Sequence, residues 1–306
     1  MVLRLEELTK EFATGFLGRG RYRALDALSC ELARGEVFGL LGPNGAGKST
    51  TLKLITGLLH PTSGRVTMFD RDPRDRRARE QVGFLPEHPT FYDHLTGEEL
   101  LAYFAGLCGL AGDELRRRVD DTLTRVGLGA ERKRAVRQYS KGMVQRLGLA
   151  QAIVNRPSLI ILDEPMSGLD PLGRRDVREL IIELRDQGCT VFFSSHILSD
   201  AEMLCSRVAI LNRGRLVASG STTELTSDHT RGWEVTATQL TPAAVSALQL
   251  HTIRATRITH GRYTFELSAA QRPEDVVAQI ASAGGALESV TPLRATLEDV
   301  FMERVS

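Results

Sequence analysis

Residues 42–49 read Gly42-Pro43-Asn44-Gly45-Ala46-Gly47-Lys48-Ser49. The spacing fits G-x-x-x-x-G-K-[ST] in full. Before it, Val37–Leu41 is a short apolar run that reads as a buried strand, and after it Thr50–Gly57 reads as a helix. That flanking order is what the motif requires, because a glycine-rich turn between strand and helix lets backbone N–H groups curl around phosphate oxygens. The helix N-terminus adds its positive dipole end. Lys48 is placed to reach the β and γ phosphates of a nucleotide, and the Ser49 hydroxyl to hold Mg2+. The expected nucleotide contacts are therefore Gly42, Pro43, Asn44, Gly45, Ala46, Gly47, Lys48, Ser49 and Thr50.

Further along, Leu159-Ile160-Ile161-Leu162 is an apolar strand ending in Asp163-Glu164. A buried strand does not end in paired carboxylates without a cation or a proton-transfer task nearby. Asp163, at the strand tip, suits a contact to Mg2+. Side chains alternate along a strand, so Glu164 points elsewhere, placed to polarise a water for in-line attack on a γ-phosphate. Alone, an Asp-Glu pair before Pro165 would read as a helix cap; beside a complete phosphate loop it reads as catalytic. Thr190–Ser194 is a third apolar strand, followed by Ser195 and His196, and Arg207–Leu211 a fourth. Strands alternating with helical patterns predict an α/β fold with a parallel sheet, whose ligands bind beyond the carboxyl ends of the strands.

Between about His88 and Val154 the pattern is helical. Glu98–Leu110, Leu115–Val126 and Gly142–Asn155 carry apolar residues at i, i+3, i+4, a helical insertion between sheet strands. Asp70–Arg77 is a mixed charge run that reads as a solvated loop and helix start. After Gly220 the texture changes. Trp233–Ala237 alternates as a strand, Pro242–Leu250 is helical, and Ile253–Thr259 and Arg262–Leu267 flank the turn His260-Gly261. Pro273–Ala283 is helical, Ala286–Val290 a strand, Leu297–Val305 a final helix. The order β-α-β-β-α-β is that of a ferredoxin-like unit, with the boundary at the polar stretch Thr222–Asp228. The expected domains are 1–222, with a helical subdomain at about 88–154, and 223–306.

A formal charge of +1 gives no reason to expect nucleic acid as a partner. No apolar run reaches the ~18–20 residues that span a bilayer, and the N-terminus is too acidic for a signal peptide. A cytoplasmic location is expected. Cys30, Cys108, Cys189 and Cys205 do not pair at metal-ligand spacing, and reduced, buried thiols are expected.

Taken together, the phosphate loop and the carboxylates resemble the ATPase subunits of ABC transporters over roughly residues 1–220. The resemblance implies a P-loop NTPase (RecA-like) core with an antiparallel β subdomain and a helical insertion, and ATP with Mg2+ as ligands. Tyr139-Ser140-Lys141-Gly142-Met143, then Gln145, is similar to the family signature Leu-Ser-Gly-Gly-Gln, departing at Tyr139, Lys141 and Met143. Ser140 and Gly142, which in the family contact the γ-phosphate held by a second subunit, are kept. Lys141 either adds a positive charge there or is a solvated lysine. Ser167-Gly168-Leu169-Asp170 is similar to the loop that crosses the dimer interface, which assigns Asp170 to communication between sites. His196 resembles the switch histidine that contacts the γ-phosphate and orients the attacking water. Glu87, in Phe84-Leu85-Pro86-Glu87, stands where the family has a glutamine metal ligand; its carboxylate can still offer oxygen to Mg2+ beside Ser49 and Asp163. Phe12 resembles the aromatic that stacks on adenine, with Tyr22 as alternative, and Thr14–Arg23 reads as an insertion after it.

The resemblance further implies a homodimer or heterodimer of ATPase subunits at the cytoplasmic face of the inner membrane. These would be docked near residues 87–110, including Phe91–Thr96, to a separate integral-membrane permease. The transported substrate would not touch this chain. The C-terminal segment Thr296–Phe301 resembles the tail of ATPases serving ABC type-2 exporters, which implies export. Soluble ABC ATPases of translation are the alternative, but their chains carry two nucleotide domains and this one has a single phosphate loop. DNA-repair ATPases insert long coiled coils between loop and carboxylates, and no sustained heptads separate Ser49 from Asp163.

Overall fold

The computed structural model describes residues 1–14, 20–227, 230–250 and 252–305. The middle of the expected insertion at Thr14–Arg23, and Asp228 at the expected boundary, lie outside these residues. The chain divides into two compact units, Met1–Thr222 with Arg304–Ser306, and Thr223–Glu303.

In the first unit the chain begins with two long strands, β1 (Leu3–Thr14) and β2 (Gly20–Leu32). It enters the core as β3 (Val37–Leu41), turns into α1 (Lys48–Ile55) and returns as β4 (Ser63–Met68). The short α2 (Arg76–Arg79) leads to β5 (Val82–Leu85). Three helices follow: α3 (Gly97–Leu107), α4 (Gly112–Arg125) and α5 (Lys141–Ile153). Then come β6 (Leu159–Asp163), α6 (Pro171–Asp186), β7 (Thr190–Ser195), α7 (Leu198–Leu204), β8 (Arg207–Asn212) and β9 (Arg215–Ser221).

The main sheet has the order β5-β6-β7-β3-β8-β9, parallel except for the β8–β9 pair. Every residue of β3, β6 and β7 is buried, as expected of parallel strands covered on both faces. Phe38 and Phe192 stack across β3 and β7 with centroids 5.5 Å apart. A second sheet, β2-β1-β4, is antiparallel. Its inward residues Leu3, Leu5, Leu8, Leu25 and Leu28 join Phe38, Leu40, Ile161 and Phe192 in one apolar cluster, so this sheet closes over the helix that follows the phosphate loop.

Helix starts follow local chemistry. Thr96 and Glu99 form a reciprocal capping box at α3, Ser140 caps α5 through the Met143 N–H, and Asp170 with Pro171 opens α6. The expected solvated run at 70–77 holds exposed ion pairs, Arg71–Asp75 among them, and the Asp75 cap of α2. Helix α1 begins two residues earlier than the sequence suggests, so Lys48 and Ser49 lie inside its first turn. Its N-cap is Gly47 in a left-handed conformation with no side-chain cap, which leaves the first N–H groups of the helix for a ligand.

The second unit starts within α8 (Thr222–Ser227) and contains β10 (Thr230–Thr238), α9 (Pro242–Gln249), β11 (Arg254–Thr259), β12 (Arg262–Ser268), α10 (Pro273–Ser282), β13 (Ala286–Arg294) and most of α11 (Leu297–Val305). Its antiparallel sheet has the order β11-β12-β10-β13. Val235, Ala237, Phe265 and Leu267 from the central strands pack against Val245, Leu248, Val276 and Ile280 from α9 and α10. Strand β13 runs on to Arg294, past the expected end at Val290. Pro292 sits opposite Trp233 there, and the strand lies at the sheet edge, where a missing N–H costs no ladder bond.

The cysteines correct one expectation. Cys189 and Cys205 are buried and Cys30 half-buried, but Cys108, the residue at which α3 ends, is exposed. Burial pushes the Cys30 and Cys189 thiols up to about 12 and Cys205 higher still. Maleimide labelling of the folded protein is therefore expected to modify Cys108 and spare Cys189 and Cys205 until denaturant is added, as read by peptide mass spectrometry. Early labelling of Cys189 or Cys205 would contradict this packing.

Candidate active site

The phosphate loop joins the end of β3 to α1, at the carboxyl edge of the main sheet. Two of its glycines are dictated by close approach. Gly42 has φ +149°, and a Cβ there would collide with the Leu211 carbonyl oxygen. Gly47 has φ +107°, and a Cβ would lie 2.7 Å from the Ala24 carbonyl oxygen. Asn44 and Gly45 at the loop's tip are exposed, while Ala46 is buried in the core. Gly45, Gly47, Lys48, Ser49 and Thr50 line a cavity of about 310 Å3 together with Tyr22, Ala24, Asn44, Glu87 and Glu164.

Lys48 is only 6% exposed. Its ammonium donates to the Gly42 carbonyl at 2.7 Å and the Pro43 carbonyl at 3.3 Å, and lies 3.2 Å from Glu164 Oε1. The other carboxylate oxygen, Oε2, is 2.8 Å from His196 Nδ1. Lysine, glutamate and histidine thus form one chain, drawn from α1 and from the loops after β6 and β7. The expectation that strand alternation alone aims Glu164 needs refinement. Glu164 has φ +48°, a left-handed turn that costs a non-glycine residue roughly 1–2 kcal/mol, and it lies just past the end of β6. Such strain clusters where a side chain must be aimed.

Asp163 stays on the strand. Its Oδ1 accepts from Ser194 Oγ at 2.6 Å and lies 3.5 Å from Ser49 Oγ. Burial raises its pKa, with the charges of Glu87 and Glu164 adding to that and hydrogen bonds from Ser194 and Ser49 opposing it. Ser49, Asp163 and Glu87 together offer a hydroxyl and carboxylate oxygens, the hard donor set that suits Mg2+.

Not every candidate is brought to this cavity. Ser140 and Gly142, with Lys141, Leu169 and Asp170, line a separate cavity of about 410 Å3. Ser140 and Asp170 each also serve as a helix cap. The Lys141 ammonium lies 2.6 Å from where a Cβ on Gly168 would sit, so the lysine stem rests on the loop before α6. Phe12 does not line the phosphate-loop cavity; Tyr22 does, and Phe12 is its partner across the β1–β2 ladder, with the Lys10 ammonium 5.1 Å from its ring centroid. Two larger clefts, about 590 and 460 Å3, flank the Arg125–Glu183 ion pair and contain none of the candidates.

Two residues of the site escaped the sequence reading. Ser194 is fully buried between Asp163 and the Glu164 amide; the signal was a hydroxyl directly after the apolar run Val191-Phe192-Phe193. Gln145, read only as part of the signature, is 5% exposed and donates to the Pro165 carbonyl at 3.1 Å. It thereby ties α5 to the turn just after Glu164.

Comparison with known proteins gives the family. A family model described as ABC transporter matches residues 25–167. An uncharacterised ABC transporter ATP-binding protein of Synechocystis is 41% identical over 301 residues, covering 98% of this chain and 83% of that protein. A fluoroquinolones export ATP-binding protein of Mycobacterium tuberculosis is 42% identical over 205 residues, 66% of each chain. Among solved structures, a dimeric ATP-binding cassette in a post-hydrolysis state with ADP and phosphate superposes with a TM-score of 0.66 at 26% identity, over 72% of this chain and 98% of that one.

Proposed function

Because the chain belongs to the ATP-binding subunits of ABC transporters, we propose that it hydrolyses ATP at the Lys48–Glu164–His196 chain to drive export through a separate membrane permease. The observation that carries this reading is that chain itself: a carboxylate just past a strand end, with a phosphate-loop lysine 3.2 Å from one of its oxygens and an imidazole 2.8 Å from the other.

The proposed sequence of events uses this chain's own groups. Phosphates settle on the N–H groups of residues 45–50 at the uncapped start of α1. Lys48 leaves Glu164 for the β and γ phosphates, which frees the carboxylate to accept a proton from the attacking water. His196 holds the other Glu164 oxygen and orients that water. Ser49, Asp163 and Glu87 would hold Mg2+, which neutralises phosphate charge when bound. The base stacks beside Tyr22, whose cross-strand neighbour is Phe12.

Ser140 and Gly142 are proposed to complete the site of a second subunit. Their separate cavity supports this, since a single chain leaves them apart from Lys48. Asp170, beside them in that cavity, would cross the interface. The dimeric state of the solved cassette supports the pairing.

For permease docking, the support is an exposed aromatic cluster between β5 and the end of α3. Tyr92 and Tyr103 are 55% and 46% exposed, and their rings meet edge-on at 5.9 Å. No helix among the described residues is long and apolar enough to cross a membrane, which accords with a peripheral subunit at the inner face. Residues 1–222 are proposed as the nucleotide-binding domain, with the helical subdomain at about 88–154, and 223–306 as an accessory domain. The strand order β11-β12-β10-β13 supports the ferredoxin-like reading of the latter. The export-named relative supports the direction of transport.

Affinity purification of the tagged chain from detergent-solubilised membranes tests the proposal. A polypeptide with several transmembrane spans should co-elute and its presence should raise ATP turnover. Recovery only in the soluble fraction, bound to ribosomes or DNA, would favour the translation or repair alternative.

A further inference from the structure

Strand β7 pairs in parallel with β6, and the register sets Ser194 opposite Asp163. Ser194 is fully buried. Its Oγ lies 2.6 Å from Asp163 Oδ1 and 3.0 Å from the Glu164 backbone nitrogen. A hydroxyl has one proton to give. An ionised carboxylate has none, so Ser194 donates to Asp163 and accepts from the Glu164 N–H. The hydrogen bonds therefore run one way, from the Glu164 amide through Ser194 to Asp163, and each polarises the next.

The amide at the head of this chain belongs to the residue with φ +48°. An extended Glu164 would continue the strand's alternation and send its carboxylate to the other face. The left-handed turn instead delivers it to Lys48 and His196. Beyond Ser194, the Glu164 turn is braced from the other side by the Ser167 N–H on the Glu164 carbonyl.

We propose that Ser194 is a positioning residue for hydrolysis: its hydroxyl holds the left-handed turn that aims the Glu164 carboxylate and links that turn to Asp163. The proposal rests on the reading of Glu164 as the base. Ser194 touches neither nucleotide nor water in this scheme; it acts through Glu164.

The test compares Ser194→Ala and Ser194→Thr in the full chain with Glu164→Gln and with the double variant Ser194→Ala/Glu164→Gln. Losing the acceptor strands a buried N–H, so Ser194→Ala should lower kcat about 10- to 100-fold, with KM and ATP Kd within about threefold because the phosphate loop is untouched. Ser194→Thr keeps the hydroxyl and should recover most of kcat. In the Glu164→Gln background, Ser194→Ala should cost nothing more, since there is no base left to aim.

Near-normal kcat in Ser194→Ala overturns the proposal. So does a full further loss in the Glu164→Gln background, which would mark a structural role elsewhere. If Ser194→Ala does not fold, Ser194→Cys takes its place. It keeps a weak donor and acceptor of similar size and should show a smaller fall in kcat with unchanged KM; an unchanged kcat overturns the proposal. Glu164→Gln separates the two readings. If that variant is inactive while Ser194→Ala is active, the Ser194 proposal fails alone. If Glu164→Gln turns over normally, the base assignment fails and takes this proposal with it.

Discussion

Glu164→Gln is expected to abolish turnover while leaving ATP bound. Glutamine matches the shape of glutamate but accepts no proton, and loss of a general base typically costs about 10²- to 10⁴-fold in rate. The surrounding contacts should survive the change. The amide can still meet His196, and Lys48 keeps the Gly42 and Pro43 carbonyls. The γ-phosphate would then persist, along with the charge that holds two subunits together. Phosphate release under steady state and size-exclusion chromatography with ATP measure the two halves of this expectation. Turnover within tenfold of the unmodified protein would remove Glu164 from the role of base.

Lys48→Ala is expected to weaken ATP binding by about 10- to 150-fold for each charged hydrogen bond lost to phosphate, at roughly 1.5–3 kcal/mol apiece. The effect on the empty protein is separate. Lys48 is the ammonium that meets Glu164, and both side chains are under a tenth exposed. Removing one partner of a buried pair leaves the other charge uncompensated, so a lower unfolding midpoint should accompany the weaker affinity. Isothermal titration with ATP and a thermal melt without it distinguish the two. Unchanged affinity would undercut the assignment of residues 42–49.

The candidate site was legible in the sequence wherever a motif and a strand end coincide. Asp163 directly follows the apolar run of β6, His196 closely follows that of β7, and Lys48 lies one loop beyond that of β3, so burial of those runs fixes where the polar residues emerge. What the sequence hid depends on conformation or on register. The meeting of Glu164 with Lys48 and His196 needs a left-handed turn at a residue type that seldom adopts one, so alternation gave no hint of it. Ser194 accepts from the Glu164 amide 30 positions away, a contact visible only once β6 and β7 are aligned. Tyr22 rather than Phe12 lines the phosphate-loop cavity, although the two are direct partners across the β1–β2 ladder; that choice is not visible in the sequence. Cys108 was expected to be buried, yet it is the residue at which α3 ends, where the helix's apolar stripe no longer faces the core.

The separation of Ser140 and Gly142 from Lys48 has a kinetic meaning. If each active site is completed by a second subunit as proposed, hydrolysis in dilute solution would be second order in protein. Turnover per molecule then climbs with concentration until encounters saturate. A permease carrying two copies side by side replaces that search with a fixed local concentration, in the millimolar range for short tethers. Anchoring alone would then switch the enzyme on, without any change in the residues that perform the chemistry.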